Sequence, residues 1–102
     1  MKRGEVRRAV HPDWPRRPAL VPTRNEAIDH LNEVSVVLAT TNTRGLPTEV
    51  ELGPEDGMPR PCVLNADQVA SLPKGYLGTL ITTLSAERLA SVCRALDYAT
   101  GC

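Results

Sequence analysis

A chain of 102 residues can bury one modest core, and a single domain over 1–102 is expected. Twelve basic and twelve acidic residues cancel, so net charge gives no argument for nucleic acid, although residues 1–24 hold Lys2, Arg3, Arg7, Arg8, Arg16, Arg17 and Arg24 against only Glu5 and Asp13. The three cysteines (Cys62, Cys93, Cys102) lack C-x-x-C spacing and the two histidines are far apart, which argues against a disulfide framework and a metal site.

Lys2–Val10 reads as a first strand with Val6 and Val10 inward, and the adjacent Arg7 and Arg8 must point to opposite faces. The basic front end is either a phosphate-attracting face or a solvated strand edge. Pro12 and Pro15 make His11–Arg16 a loop. Arg17, held extended by Pro18, starts a second strand through Val21, so its guanidinium has a defined exit point. Pro22 predicts an edge or a bulge there. Asn25 can cap a short helix to Asn32, with Ile28 and Leu31 at helical spacing and His30 on its surface.

Val34–Ala39 is too apolar to face water on either side and predicts a central buried strand. It turns polar at Thr40-Thr41-Asn42-Thr43-Arg44, and a rigid strand ending in a polar cluster is a good platform for a site. Thr48, Val50 and Leu52 then alternate with Glu49 and Glu51 in a half-buried antiparallel strand. Gly53–Pro59 is an acidic turn, Arg60–Gln68 another strand, and Val69–Tyr76 a loop broken by Pro73 and Gly75. Leu77–Leu84 forms the last strand. Ser85 caps a helix that Gly101 stops, with Leu89, Val92, Cys93 and Leu96 in one apolar stripe. Cys93 on that stripe reads as a small core hydrophobe. The sum is a mainly β (α+β) fold: a strongly bent antiparallel barrel of five or six short strands, one short helix and a C-terminal helix. No apolar run is long enough to span a bilayer, so a soluble cytoplasmic protein is expected.

Several segments, in order, resemble the MazF/PemK (Kid) toxin endoribonucleases: Arg3-Gly4-Glu5-Val6, Arg17-Pro18-Ala19-Leu20-Val21, Thr40–Thr43, Leu46-Pro47-Thr48-Glu49-Val50, Val63–Gln68, and Leu77-Gly78 through Leu84-Ser85. The resemblance covers nearly the whole chain. It implies an SH3-like barrel of CcdB/PemK type, a homodimer, and cytoplasmic, metal-independent cleavage of single-stranded RNA (mRNA, tRNA or rRNA) at a short sequence. It implies no cofactor, and neutralisation by a cognate antitoxin.

The same resemblance makes Arg17 and Thr40 the catalytic residues. Arg17 would meet the charge growing on the phosphorane, and the Thr40 hydroxyl would bond a phosphate oxygen or the 2′-OH. Thr41, Thr43, Asn65, Asp67 and Gln68 would bind RNA. Asn65 stands where some members carry an arginine and cannot titrate. Asp67 would serve as base or base-edge acceptor. Equally, Asn65-x-Asp67 could close a turn by side-chain-to-backbone bonds. His11 lies where some relatives place a catalytic histidine and reads here as structural. Relatives commonly carry aromatic residues where this chain has Arg7-Arg8, leaving Trp14, Arg7 and Arg8 as surfaces on which bases could stack. Two other readings compete: a CcdB-like gyrase poison on the same barrel, and a catalytically idle barrel that only binds RNA or a partner.

Overall fold

The apolar run from Val34 forms the heart of strand β3 (Glu33–Thr40), in a computed structural model that describes residues 1–101. Cys102 lies outside the described residues. Before β3 come β1 (Glu5–Ala9), β2 (Arg17–Leu20) and a one-turn helix α1 (Asn25–Ile28). After it come β4 (Glu49–Leu52), β5 (Cys62–Pro73), β6 (Leu77–Thr83) and helix α2 (Ala86–Thr100). The six strands form one antiparallel sheet in the order β4-β5-β3-β2-β1-β6, curled into a half-barrel.

The curl gives each face of the sheet its own core. Neighbouring residues of a strand alternate faces, so Val37 and Ala39 enter one cluster with Val6, Leu20, Leu64 and Val92. Val34, Val36 and Leu38 enter the other with Ala19, Val21, Ile28 and Leu72. This double burial excludes polar residues from Val36–Ala39, whereas Glu33 and Ser35 at the start of the strand are exposed. On the first face α2 lies across β4 and β5. The Ser85 hydroxyl accepts the Arg88 N–H at 3.1 Å, and Gly101 closes the helix in the left-handed conformation at φ 71°.

Several local expectations are corrected. Val10 is exposed rather than inward: β1 ends at Ala9, which is buried in the core on the face opposite Val6. Pro22 marks no edge: β2 ends at Leu20 and lies between β1 and β3. Asn25 caps nothing, since its side-chain carbonyl accepts the Arg3 N–H at 2.8 Å and so docks the N-terminal segment. Helix α1 stops at Ile28, and Leu31 is exposed. The stretch Val69–Tyr76 is no loop up to Pro73: Val69, Ala70, Ser71 and Leu72 pair with Val37, Val36, Ser35 and Val34. A strand buried on both faces needs a ladder partner along its whole length, and Pro73 sits at the final pair of that ladder. With 12 residues, β5 is not short. Cys93 is only half-buried beside the Arg3 guanidinium, and the α2 face turned to the sheet centres on Val92 and Ala95. The small Ala95 side chain permits the close approach.

Candidate active site

Strand β2 begins at Arg17 and runs beside β3, so the arginine leaves the sheet next to the strand's polar end. Its Nε donates to the Ala39 carbonyl at 2.7 Å and its Nη2 to Gln68 Oε1 at 2.6 Å. Two of the guanidinium's nitrogens are therefore held by protein, and Arg17 lines a cavity of about 510 Å³. Arg8, Arg16, Arg17, Thr40, Arg60 and Cys62 are among its lining. Four guanidinium groups in one lobe make a site for an anion carrying more than one charge. Among the described residues, no carboxylate or imidazole side chain lines it.

The far wall is an arm between β4 and β5 that carries Met58, Pro59, Arg60 and Pro61. Gly57 makes it possible: at φ 89° it turns the chain, and a Cβ there would strike the Thr82 side chain of β6. Thr82 Oγ1 donates to the Asp56 carbonyl at 3.0 Å. Arg88 Nε donates to Asp56 Oδ1 at 3.0 Å, tying the arm to α2 as well. The sequence reading passed over Arg60, yet the signal was present. Arg60 precedes Pro61 just as Arg17 precedes Pro18, and a following proline restricts the backbone of each.

Thr41, Pro61 and Cys62 also line a second lobe of about 370 Å³, so the two hollows of this groove adjoin at these residues. Its lining there includes Thr43, Glu51 and Glu55, so the groove runs from cationic to acidic. Thr40 is half-buried, with its hydroxyl accepting the Asn42 N–H at 3.3 Å; Thr41 and Thr43 are exposed. The following loop is held by Glu49, whose carboxylate accepts the Arg44 N–H at 2.9 Å and the Leu46 N–H at 3.0 Å. The Leu46 amide, with those of Arg44 and Gly45, keeps this carboxyl below its ordinary pKa. Burial, together with the negative charge of Asp56, pushes the Cys62 thiol up, which disfavours the thiolate.

The remaining expected site residues separate. Asn65 is buried, and its Oδ1 accepts the Asp67 N–H at 2.9 Å, the turn-closing arrangement. Asp67 Oδ2 accepts the Thr48 hydroxyl at 2.8 Å. Neither lines the groove. Arg8 lines the first lobe, but Arg7 turns away: its Nε donates to Glu5 Oε1 at 2.9 Å and its Nη1 to the Gly78 carbonyl at 3.0 Å. Burial would raise the Glu5 carboxyl, but bonds from the Lys2 amide and Arg7 outweigh it and hold the pKa low. Trp14 also stands outside the groove lining, stacked on His11 at 4.0 Å between ring centroids. His11 in turn meets the Tyr76 ring edge-on at 5.5 Å and accepts the Asp13 N–H at Nδ1, 3.0 Å away. Among the described residues, no three His, Cys, Asp or Glu gather in a metal-binding group, and no helix is long and apolar enough to cross a membrane.

Comparison with known proteins bears on what this groove does. The profile of the PemK-like, MazF-like toxins of type II toxin-antitoxin systems matches residues 9–99. The probable endoribonuclease MazF2 of Mycobacterium tuberculosis is 41% identical over 100% of both chains. The probable endoribonuclease MazF5 of the same organism is 37% identical, covering 98% of this chain and 93% of its own. Among solved structures, the M. tuberculosis toxin MazF-mt6 superposes with a TM-score of 0.86 at 31% identity, covering 95% of this chain and 96% of that one. An endoribonuclease in complex with its cognate antitoxin, from a mycobacterial species, gives 0.89 at 30% identity, covering 99% and 95%.

Proposed function

The chain belongs to the PemK-like, MazF-like toxin family, and on that basis we propose that it is an endoribonuclease cutting single-stranded RNA in the arginine-lined lobe. The 2′-oxygen attacks the adjacent phosphorus as its proton passes to water, the bond to the 5′-oxygen breaks, and that oxygen takes a proton from water, leaving a 2′,3′-cyclic phosphate and a free 5′-hydroxyl. The phosphorane on that path carries more negative charge than the starting diester. Groups that bind it better than the substrate lower the barrier.

Arg17 fills that role, and the observation that carries the reading is its fixed position beside Thr40 in a lobe with three further arginines. The Thr40 hydroxyl orients the 2′-OH or a phosphate oxygen. Arg8, Arg16 and Arg60 hold the flanking phosphates, and Thr41 and Thr43 lead the strand into the second lobe. Asn65 and Asp67 serve the reaction by bracing the backbone. Growth inhibition through loss of RNA, neutralisation by a cognate antitoxin, a homodimer, a cytoplasmic location and a single domain over 1–102 complete the proposal. The solved complex of a relative with its antitoxin supports the partner.

The test is incubation of purified protein with a mixed-sequence RNA in EDTA, followed by sequencing of the new 5′-hydroxyl ends. Cuts confined to one short motif are the expected result. Intact RNA together with trapped gyrase–DNA complexes would instead favour a gyrase poison. Sedimentation at micromolar protein checks the dimer.

A further inference from the structure

The ladder between β3 and β5 contains a break whose position explains the Arg17 geometry. Val37 pairs with Val69 and Ala39 pairs with Leu64, so two steps along β3 correspond to five along β5. The surplus falls at Asn65–Gln68. Through it β5 leaves β3 and leans on the chain entering β4: Asn65 pairs with Glu49, and the Ala66 N–H donates to the Thr48 carbonyl at 2.8 Å. The excursion is braced by the Asp67 N–H to Asn65 Oδ1 and by Thr48 Oγ1 to Asp67 Oδ2. Bulges re-aim side chains, and this one delivers Gln68 to a guanidinium 51 positions earlier in the chain.

We infer that Gln68 is a positioning residue: the bulge exists to hold its amide oxygen against Arg17 Nη2, which with the Ala39 carbonyl fixes the guanidinium plane toward the scissile phosphate. The inference rests on Arg17 being the phosphorane-binding residue. An arginine side chain has many rotamers, and a neutral acceptor orients it without cancelling its charge, as a carboxylate would. The two contacts, on Nε and Nη2, leave Nη1 and the second Nη2 hydrogen free for phosphate oxygens. Gln68 thus acts through Arg17 and need not touch RNA. This reassigns it from the RNA-binding set of the sequence reading.

Gln68→Met keeps the side-chain length and removes the acceptor. It should lower single-turnover cleavage at saturating RNA by ~10–100-fold, the scale of misplacing a reacting group by about an ångström. Affinity for an uncleavable 2′-deoxy analogue should change less than about threefold, since charge is untouched. In an Arg17→Ala background the same change should have no further effect, because the two residues act as a unit. Unaltered cleavage by Gln68→Met, or full additivity with Arg17→Ala, overturns the inference. A readout independent of activity is the Arg17 guanidinium NMR signal. In the parent protein it should show restricted rotation, lost in Gln68→Met. An unchanged signal refutes positioning even if the protein cleaves RNA, whereas a changed signal in a protein that cleaves nothing would leave positioning intact and refute the proposed function.

Discussion

Thr48 and Asp67, nineteen residues apart, share a 2.8 Å hydrogen bond in which a buried hydroxyl donates to a surface carboxylate. The bond ties the residue entering β4 to β5, and we propose that bracing these strands, not proton transfer, is the role of this carboxylate. Asp67→Asn retains an oxygen acceptor and should leave stability and cleavage near the parent. Asp67→Ala strands the Thr48 hydroxyl and should cost about 1–3 kcal/mol in a urea titration. A folded Asp67→Asn protein that no longer cleaves would restore the carboxylate to a chemical role.

Arg17→Ala should reduce single-turnover cleavage by ~10²-fold or more, the scale of losing one preorganised donor, with a much smaller loss of RNA affinity. Arg17→Lys keeps a charge but cannot bond Ala39, Gln68 and phosphate in one plane, so it should not rescue the rate. Thr40→Val should do the same more mildly than Arg17→Ala, and Thr40→Ser should recover activity. Normal turnover by Arg17→Ala at saturation would reduce that residue to a phosphate anchor.

Adjacent in sequence, Arg7 and Arg8 should fail in different ways. Arg7→Ala leaves the buried Glu5 without its ion-pair partner, so stability should fall by about 1–3 kcal/mol with little change in RNA binding. Arg8→Ala should leave stability unchanged, weaken RNA binding, and flatten the dependence of log affinity on log salt by about 0.7, the contribution of one phosphate contact to a single strand. Equal salt slopes for the two variants would contradict the separation seen in the structure.

The elements were legible where pattern and burial agree. Val34–Ala39 announced a central strand because its residues feed two cores. Thr48, Val50 and Leu52 announced an inward face that is buried. Legibility ended where a residue's partner lies far along the chain. Asn25 looks like a helix cap until the Arg3 amide claims it. Pro73 and Gly75 look like loop punctuation until β3 requires a partner as far as Pro73. Within the site, pre-proline stiffness gave Arg17 a defined exit point and the family resemblance gave it a role, whereas the Arg17–Gln68 bond follows from a bulge that local pattern does not encode.

The Glu49 clamp should open in acid. Backbone amides hold its carboxyl below the ordinary value, so the stabilisation it gives the loop is complete above that value, about 4.5. It is lost as pH falls through the lowered folded-state pKa. Exchange of the Arg44 and Leu46 amides should therefore accelerate, beyond the intrinsic pH dependence, between neutral pH and pH ~3. Glu49→Gln should remove most of that change. Constant protection across the range would show that the loop is held by something else.

Replacing Cys62, Cys93 and Cys102 together with Ser or Ala should leave cleavage intact. Cys62 lines the lobe, yet its burial keeps it a thiol. At Cys93 about 1 kcal/mol of packing is at stake. Loss of turnover in the folded triple variant would point to sulfur chemistry.

The pairing of β1 with β6 joins Glu5 to Thr83. Arg8 and Ile81, from those two strands, both line the arginine lobe. On the ribosome, the strand carrying Arg8 therefore waits without its outer partner until Leu77–Thr83 has been made, and so does the cavity wall. Non-local pairing of this kind is slow to form. A nascent fragment can fold toward β2 and β3 but cannot complete the lobe. The wall beside Arg8 therefore closes only after Leu77–Thr83 has been made, although Arg17 and Thr40 precede it in the chain.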